Sequence, residues 1–377
     1  WMLGYGAYGG LGFAEMYAMA RYIEDNNPQS WVQAFTRFGR TLEARAGTPD
    51  GDGHRRSAGE TYLKAACAYR AALQMLSPRR DEFADLCSTF KGRFWEAMPL
   101  LEVPIEPVSF PYAGKALPGY FVKAGDSQRP TLIMIGGGDS YCEDLYFFAA
   151  AGALHHGYNT LMVDLPGQGD TPMHGLFFEL EMEKPVGVVV DYALTRPEID
   201  PARLAIMGIS GGGFMVTRAA GYEKRLKAVI ADTPIYDMAR VLDAEIPAAL
   251  LHAPAVIGNV ITRVAGAANA AGRVNMEKYA WQRGMKEPMQ AMAALHQGQA
   301  DIDRVSMPML CLAGKGDPAE CIAQTRTAYE HNPSPLKAMR VFTVDEGAEA
   351  QCQVNNLPLL HQVIFDWLDT TFAALAT

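Results

Sequence analysis

Hydrophobic residues recur at helical spacing over the first hundred positions of the chain. One apolar stripe follows Ser57-Ala58-Gly59-Glu60, and a second stripe follows Ser77-Pro78. Apolar side chains three and four residues apart predict a helix in each case. The first segment matches a capping box, in which the serine and glutamate side chains satisfy each other's backbone amides. We therefore predict an N-terminal helical cap region over residues 1–102. Core packing is one interpretation of the stripes, and a rim that covers a functional site is the alternative.

Near Val103 the spacing of the apolar residues changes from helical to alternating. Two runs, 108–112 and 117–122, are separated by a turn at 113–115 and predict an antiparallel hairpin. Strand and helix patterns then alternate to the end of the chain. The strands are predicted at 131–135, 160–163, 203–207, 228–231, 309–313 and 340–344, with helices at 143–156, 183–195, 213–220 and 358–372. This alternation indicates an α/β fold over residues 103–377, with a mostly parallel, doubly wound sheet covered on both faces.

A long segment between the strands predicted at 228–231 and 309–313 has no strand pattern. Its alanine, methionine, leucine and isoleucine residues have helix-compatible spacing. Connections of this length inside a compact domain are usually functional. We therefore predict a helical lid insert at about 234–300. Its apolar side chains suit a flat hydrophobic ligand, and its aromatic residues include Tyr236, Tyr279 and Trp281.

The composition is that of an ordinary soluble globular protein, with 49% hydrophobic and 20% charged residues among 377. The net charge of −9 argues against nucleic acid and anionic membranes as partners. The longest apolar region, 246–272, is interrupted by His252, Asn259 and Arg263 and is a poor membrane span. We expect a small-molecule substrate. The charge and the apolar stripes also make a homodimer an expectation.

The six cysteines are scattered without a C-x-x-C pair. This spacing indicates reduced, mostly buried thiols and a reducing cytoplasm as the location. No signal-peptide pattern opens the chain, which begins at Trp1.

The segment Gly208-Ile209-Ser210-Gly211-Gly212 carries the strongest chemical signal. G-x-S-x-G between a strand and a helix is the nucleophile elbow, in which small residues allow a turn sharp enough to expose the serine hydroxyl. A strand pattern precedes this segment and a helix pattern follows it. We therefore predict Ser210 as a catalytic nucleophile. A simple glycine turn is the alternative interpretation.

Two further groups fit a serine mechanism. Asp317 follows the strand predicted at 309–313 and is our candidate for the acid, with a turn-capping role as the alternative and Asp232 as the rival acid. The loop Gly136-Gly137-Gly138-Asp139 directly follows another predicted strand. Its amides at Gly137 and Gly138, with that of Gly211, are candidates for an oxyanion hole, because glycine allows a close backbone approach.

Four side chains are candidates for substrate binding, although the first two also fit helix-start roles. They are Asp139, Tyr141, Tyr236 and Glu245. Neither a metal site nor a cofactor is expected.

The histidine that should complete a triad is missing from its expected loop. The nucleophile, acid and histidine follow one another along the chain in this arrangement, so the histidine belongs after the strand predicted at 340–344. The segment 345–353 contains none. His361 lies further on, in an amphipathic helix, and is interpreted as a surface or packing residue. The other histidines precede the last predicted strand.

The chain resembles an α/β-hydrolase group that contains 2,6-dihydroxypseudooxynicotine hydrolase and fungal pigment hydrolases that shorten polyketide chains. The elbow and the glycine loop are specific to the superfamily, and the helical N-terminus with the segment 346–353 is more specific to the group. The matching segments include Gly53-His54, Ser57-Ala58, Tyr62-Leu63, 111–120, Gly136–Asp139, Asp164–Gly169 and the elbow.

This resemblance implies an α/β-hydrolase fold and hydrolysis of a ketone-adjacent C–C bond or an ester in a small aromatic or polyketide-like molecule. It also implies a histidine at position 351, where this chain has Gln351. Glutamine forms hydrogen bonds but cannot accept and return a proton near neutral pH. Either a His→Gln substitution was introduced to trap a ligand, or the glutamine is natural and the chemistry needs no general base on the serine.

Alternatives to this function stay open at the level of sequence. One is a non-hydrolytic protein that kept the pocket, such as a cyclase, a lyase or a ligand-binding protein. Another is a plain carboxylesterase. If a different base is used, Glu245, Asp232 and His361 are the candidates.

Overall fold

The computed structural model describes residues 1–47, 54–246 and 268–377. The chain divides into two compact units, one comprising residues 1–104 with 252–291 and the other residues 105–251 with 292–377. The first boundary lies next to the predicted end of the cap region at 102. The assignment of the two parts as a cap and a catalytic core stays a prediction.

Helices build the described part of the first unit. The longer ones are amphipathic, and the buried side chains of the third and fourth face one another. Their bounds are Met2–Tyr5, Phe13–Ala20, Pro28–Ala46, Arg55–Gln74, Glu82–Leu100 and Ala270–Gln282. Pro28 opens its helix at a position where a missing amide costs nothing, and the Asn27 side chain accepts a hydrogen bond from the Ser30 amide.

The capping box expected at Ser57 is not formed, so this prediction was wrong. The helix begins at Arg55, after the N-cap residue His54. Ser57 therefore lies within the helix, where its carbonyl accepts a hydrogen bond from the Thr61 hydroxyl. The Glu60 carboxylate pairs with Arg56 one turn earlier instead.

The helix Ala270–Gln282, which belongs to the predicted insert, packs against the N-terminal helices within the first unit. The Lys278 ammonium donates to the carbonyl oxygens of Leu73 and Gln74 at 2.8 and 2.6 Å. These carbonyls end the helix Arg55–Gln74, and that of Leu73 also accepts from a following amide, that of Leu76 at 3.3 Å. The ammonium therefore caps the helix. Trp281 packs edge-on against Phe83, with ring centroids 5.4 Å apart.

Part of the predicted insert, residues 247–267, lies outside the described residues. A lid over Ser210 stays a prediction.

The second unit contains an eight-stranded sheet in its described part, and the predicted fold class is confirmed. The strands are β1 Ile105–Tyr112, β2 Lys115–Val122, β3 Arg129–Ile135, β4 Asn159–Val163, β5 Ile199–Ile209, β6 Ala228–Asp232, β7 Met309–Gly314 and β8 Ala338–Phe342. Their order is β1-β2-β4-β3-β5-β6-β7-β8. The pairs β1–β2 and β2–β4 are antiparallel, and the rest are parallel.

The predicted hairpin is formed by β1 and β2. Ala113 and Gly114 join the two strands, and both have positive φ angles of 50° and 74°. A two-residue turn with two positive φ angles matches the right-handed twist of the strands that it joins. This pairing places Phe110 opposite Leu117, and both side chains are fully buried.

The central strands are buried on both faces, which explains their continuous apolar runs. Every residue of β4, β6 and β7 is buried. Helices connect the strands, at Glu183–Ala193, Gly211–Tyr222, Met238–Glu245, Pro288–Leu295, Ala319–His331 and Leu357–Leu375. The helix predicted at 143–156 consists of Cys142–Leu145, a π-turn at Tyr146–Ala150, and Ala151–His155.

Within the three described ranges, no helix has the length and apolar character needed to cross a bilayer. All six cysteines are buried. The cytoplasmic location and the homodimer stay predictions.

Replacing Lys278 with methionine should destabilise the first unit. The substitution leaves the carbonyls of Leu73 and Gln74 without their charged donor, and such a loss in a buried setting costs about 1–3 kcal/mol. Urea unfolding measures the effect. The exposed Lys286→Met is the control and should change the free energy of unfolding little. Equal effects of the two substitutions would contradict the capping role.

Candidate active site

Ser210 occupies a strained turn between β5 and the helix Gly211–Tyr222. Its backbone angles are φ 52° and ψ −119°. A non-glycine residue at positive φ is uncommon and costs energy, and such strain concentrates at functional sites. The Ser210 amide donates to the carbonyl of Asp232 at 2.5 Å, and the Ser210 carbonyl accepts from Gly213 at 2.8 Å. These bonds hold the turn, as expected for a nucleophile elbow.

Glycine is required on both sides of the serine. A β-carbon on Gly208 would lie 2.1 Å from the Gly212 carbonyl oxygen, and one on Gly212 would lie 2.3 Å from the Gly136 carbonyl oxygen. Both distances are far below van der Waals contact. The motif therefore has a steric cause, since the backbones pass too close for any side chain.

The glycine loop after β3 lies directly against the elbow. A β-carbon on Gly137 would be 3.2 Å from the Ser210 β-carbon, and the Gly138 nitrogen lies 3.1 Å from where a Gly211 β-carbon would stand. Gly211 opens its helix, so its amide has no intrahelical acceptor. The amides of Gly138 and Gly211 therefore belong to neighbouring backbone segments beside Ser210.

The Ser140 hydroxyl oxygen accepts a hydrogen bond from the Gly137 amide, which the sequence indicates as a candidate oxyanion-hole donor. The Gly137 nitrogen lies 2.9 Å from that oxygen. This bond removes the Gly137 amide from the candidate donors. Sequence reasoning missed Ser140, although a serine three residues after a glycine turn is a common local acceptor.

Gln351 lies beside Ser210. Its side-chain amide donates to the Ser210 hydroxyl oxygen at 3.3 Å. The following residues Cys352 and Gln353 have φ angles of 55° and 47°. The Cys352 thiol contacts the carbonyl of Asp232 at 3.6 Å, behind the elbow.

Asp317 is buried after β7. One of its carboxylate oxygens accepts from the Gly314 amide at 2.7 Å. The other is buried without a hydrogen-bond partner among the residues that the structure describes. Burial raises the pKa of Asp317, and the bond from Gly314 opposes that rise.

Asp232, the rival acid, ends β6 and is completely buried. Neither of its carboxylate oxygens has a hydrogen-bond partner in the described ranges. Burial, followed by repulsion from Asp317, raises its pKa well above the usual range, and the nearby Gln353 amide opposes this only in part. Asp317 accepts a hydrogen bond from the Gly314 amide, which favours its charged form, and it is therefore better suited than Asp232 to orient a charged imidazole.

Comparison with known proteins identifies the fold of the chain. The prolyl oligopeptidase family model matches residues 186–254, which include the elbow. In solved structures, the crystal structure of 2,6-dihydroxy-pseudo-oxynicotine hydrolase superposes with a TM-score of 0.75 at 21% identity, covering 98% of this chain and 96% of that one. The chain has the α/β-hydrolase fold.

The sequence relatives of this α/β-hydrolase-fold protein are fungal hydrolases. The hydrolase LUC6 of a Fusarium species is 26% identical over 98% of this chain and 94% of its own length. The 20-hydroxy-prefusarin hydrolase FUS2 of Gibberella moniliformis is 27% identical over 99% of this chain and 95% of its own length. The resemblance found from the motifs is thereby confirmed.

The His361 side chain is buried and packs inside the protein. Its Nε2 atom lies 2.7 Å from the carbonyl oxygen of Phe148, so that nitrogen must be the donor. A β-carbon on Gly152 would lie 2.1 Å from the other ring nitrogen. Burial lowers the pKa of His361 to about 4, so the ring is neutral at physiological pH. The geometry therefore does not support His361 as a general base.

The four substrate-binding candidates lie in different environments. Asp139 is exposed beside the glycine loop, whereas Tyr141 is buried at the start of the next helix. Tyr236 is half-buried and packs against the core. Glu245 is exposed at the end of its helix. Their roles stay predictions.

Replacing Asp232 with asparagine should stabilise the protein at neutral pH. A raised pKa means that the folded state binds the proton more tightly, so this group's contribution is intact below the unfolded pKa of about 3.9 and is lost as pH rises above it. Urea unfolding between pH 4 and 8 should therefore show the two free-energy curves separating as pH rises. The exposed Asp126→Asn should run parallel to the unsubstituted protein, and a parallel curve for Asp232→Asn would refute the prediction.

Proposed function

We propose that this protein is a serine-dependent hydrolase that cleaves a ketone-adjacent C–C bond or an ester in a small aromatic or polyketide-like molecule. The contact between the Gln351 amide and the Ser210 hydroxyl oxygen, 3.3 Å long, carries the proposal. This contact supports the proposal because a general base acts on a serine from within hydrogen-bond reach. The fold and the hydrolase relatives support the reaction class.

In the proposed reaction, the Ser210 oxygen attacks the substrate carbonyl and the base at position 351 takes the hydroxyl proton. The amides of Gly138 and Gly211 stabilise the resulting oxyanion. The carbonyl re-forms as the C–C or ester bond breaks, and the leaving carbanion or alkoxide receives the proton from the base. Water then attacks the acyl-enzyme with the same base, which releases the acid and restores Ser210.

The glutamine impairs this cycle at a definite step. Its amide donates a hydrogen bond to Ser210 but has no basic nitrogen that could take the hydroxyl proton. Binding and oxyanion stabilisation do not depend on that proton transfer. We therefore propose that the chain as written keeps a site that can bind substrate but turns it over slowly.

The substrate class rests on the relatives. One is named for 20-hydroxy-prefusarin, and a structural neighbour for 2,6-dihydroxy-pseudo-oxynicotine. Both names support a small-molecule substrate. A plain carboxylesterase differs from this proposal only in the substrate.

A second candidate is a non-hydrolytic protein that binds or rearranges a ligand. The same observation favours it, since a carboxamide at position 351 gives a serine site without a proton shuttle. The two candidates predict opposite effects of restoring an imidazole.

Replacing Gln351 with histidine should restore turnover of an aryl ester or of a ketone substrate. Disabling one triad member commonly lowers kcat by about 10⁴-fold, so kcat should rise by several orders of magnitude. Steady-state kinetics measure this change. Adding Asp317→Asn to the restored protein should suppress the gain, because the imidazole would lose its orienting carboxylate.

Ser210→Ala is the control, and it should abolish the restored activity. If Gln351→His left activity unchanged while Ser210→Ala removed it, a different base would be in use. If neither substitution had any effect, the non-hydrolytic candidate would be favoured.

A further inference from the structure

Gln168 connects the loop after β4 to the glycine loop after β3. Its side chain is almost completely buried. The amide nitrogen donates to the carbonyl oxygens of Gly136 and Gly137 at 2.6 and 3.0 Å. The amide oxygen accepts from the backbone of Leu165 at 2.9 Å. Because the partners are two acceptors and one donor, the orientation of the amide is fixed.

These bonds set the direction of two successive peptide groups. In a trans peptide, the carbonyl of one residue and the amide of the next lie in one plane and point in opposite directions. The peptide between Gly136 and Gly137 is held at its oxygen by Gln168 and at its amide by the Ser140 hydroxyl oxygen. The next peptide is held at the Gly137 oxygen by Gln168 at 3.0 Å and by the longer bond from the Ser140 amide at 3.5 Å, so the Gly138 amide points away from Gln168.

We infer that Gln168 is a positioning residue that aims the Gly138 amide at the developing oxyanion. The inference rests on the proposed function, in which that amide is a donor. Glycine backbones rotate freely because no β-carbon restricts them. A loop of three glycines therefore needs an outside restraint, and donors help catalysis only when they are aligned before charge develops.

A second buried carboxamide provides a matched control. Asn332 donates through its side-chain nitrogen to the carbonyls of Val305 and Met307, both at 3.0 Å, and its side-chain oxygen accepts from the Ser334 amide at 3.0 Å. It is fully buried and has the same bonding pattern as Gln168. It lies between a helix and the segment leading into β7, away from the glycine loop. Its loss should affect stability alone.

The test compares Gln168→Leu with Asn332→Leu, each added to the Gln351→His protein. We expect Gln168→Leu to lower kcat for an aryl ester by about 10- to 10³-fold, the upper figure being the loss when an oxyanion donor is deleted. KM should stay within about threefold, because the amide acts on the transition state. Asn332→Leu should leave both constants within about threefold, although it also lowers Tm.

Gln168→Glu covers the case in which the leucine variant does not fold. Glutamate keeps the acceptor for the Leu165 amide, but an ionised carboxylate cannot donate to the two glycine carbonyls. Its kcat should fall as well. The ratio of its kcat to that of the Gln351→His protein at the same pH should rise at lower pH, as the carboxyl is protonated and can donate. A kcat for the Gln168 variants no lower than that of Asn332→Leu would overturn the inference.

A second measurement tests the positioning role of Gln168 even if the proposed hydrolase function is wrong. If the Gln351→His protein has no turnover at all, amide hydrogen exchange is compared by mass spectrometry in peptides covering the glycine loop. Gln168→Leu should accelerate exchange there, and Asn332→Leu should not. Unchanged exchange in Gln168→Leu would overturn the positioning role independently of catalysis.

Discussion

The close contact between two glycine backbones is the constraint on which the site depends. The elbow and the loop after β3 approach so closely that a β-carbon on Gly212 would lie 2.3 Å from the Gly136 oxygen. This contact brings the Gly138 amide beside Gly211 and Ser210 without any intervening side chain. The left-handed conformation of Ser210 is the cost of that approach. Parallel strands on both sides hold the two turns in register, since β3 pairs directly with β5.

Most of the fold could be predicted because its signals are local. Continuous apolar runs identified the buried strands, and their order placed Ser210, Asp317 and the loop containing Gln351 each shortly after one of these strands. The carboxyl ends of parallel strands meet at one edge of a sheet. Chain order placed the loop containing Gln351 at the same edge of the sheet as Ser210, and the resemblance singled out position 351 within that loop. In the structure the Gln351 amide nitrogen lies 3.3 Å from the Ser210 hydroxyl oxygen.

The hydrogen-bond partners of individual side chains and amides were harder to predict from the sequence. Ser57 and Glu60 have the spacing of a capping box, but the helix had already begun at Arg55. Likewise, a glycine-rich loop indicates close backbone contact without revealing which of its amides are already engaged, and only the structure assigns the Gly137 amide to Ser140. The lack of hydrogen-bond partners for the Asp232 carboxylate among the described residues depends on every group packed around it. No local sequence pattern encodes this environment.

The backbone conformation of the two residues after position 351 determines the direction in which residue 351 points. Cys352 and Gln353 are both left-handed, and together they turn the chain so that the preceding residue faces the serine. The Cys352 thiol is anchored on the carbonyl of Asp232, behind the elbow. Cys352 and Gln353 thus orient residue 351 towards Ser210, while the Gln351 side chain itself is exposed. Under the proposed function, a change of side chain at position 351 alters the chemistry and leaves the scaffold intact, so a single substitution there removes or restores the general base.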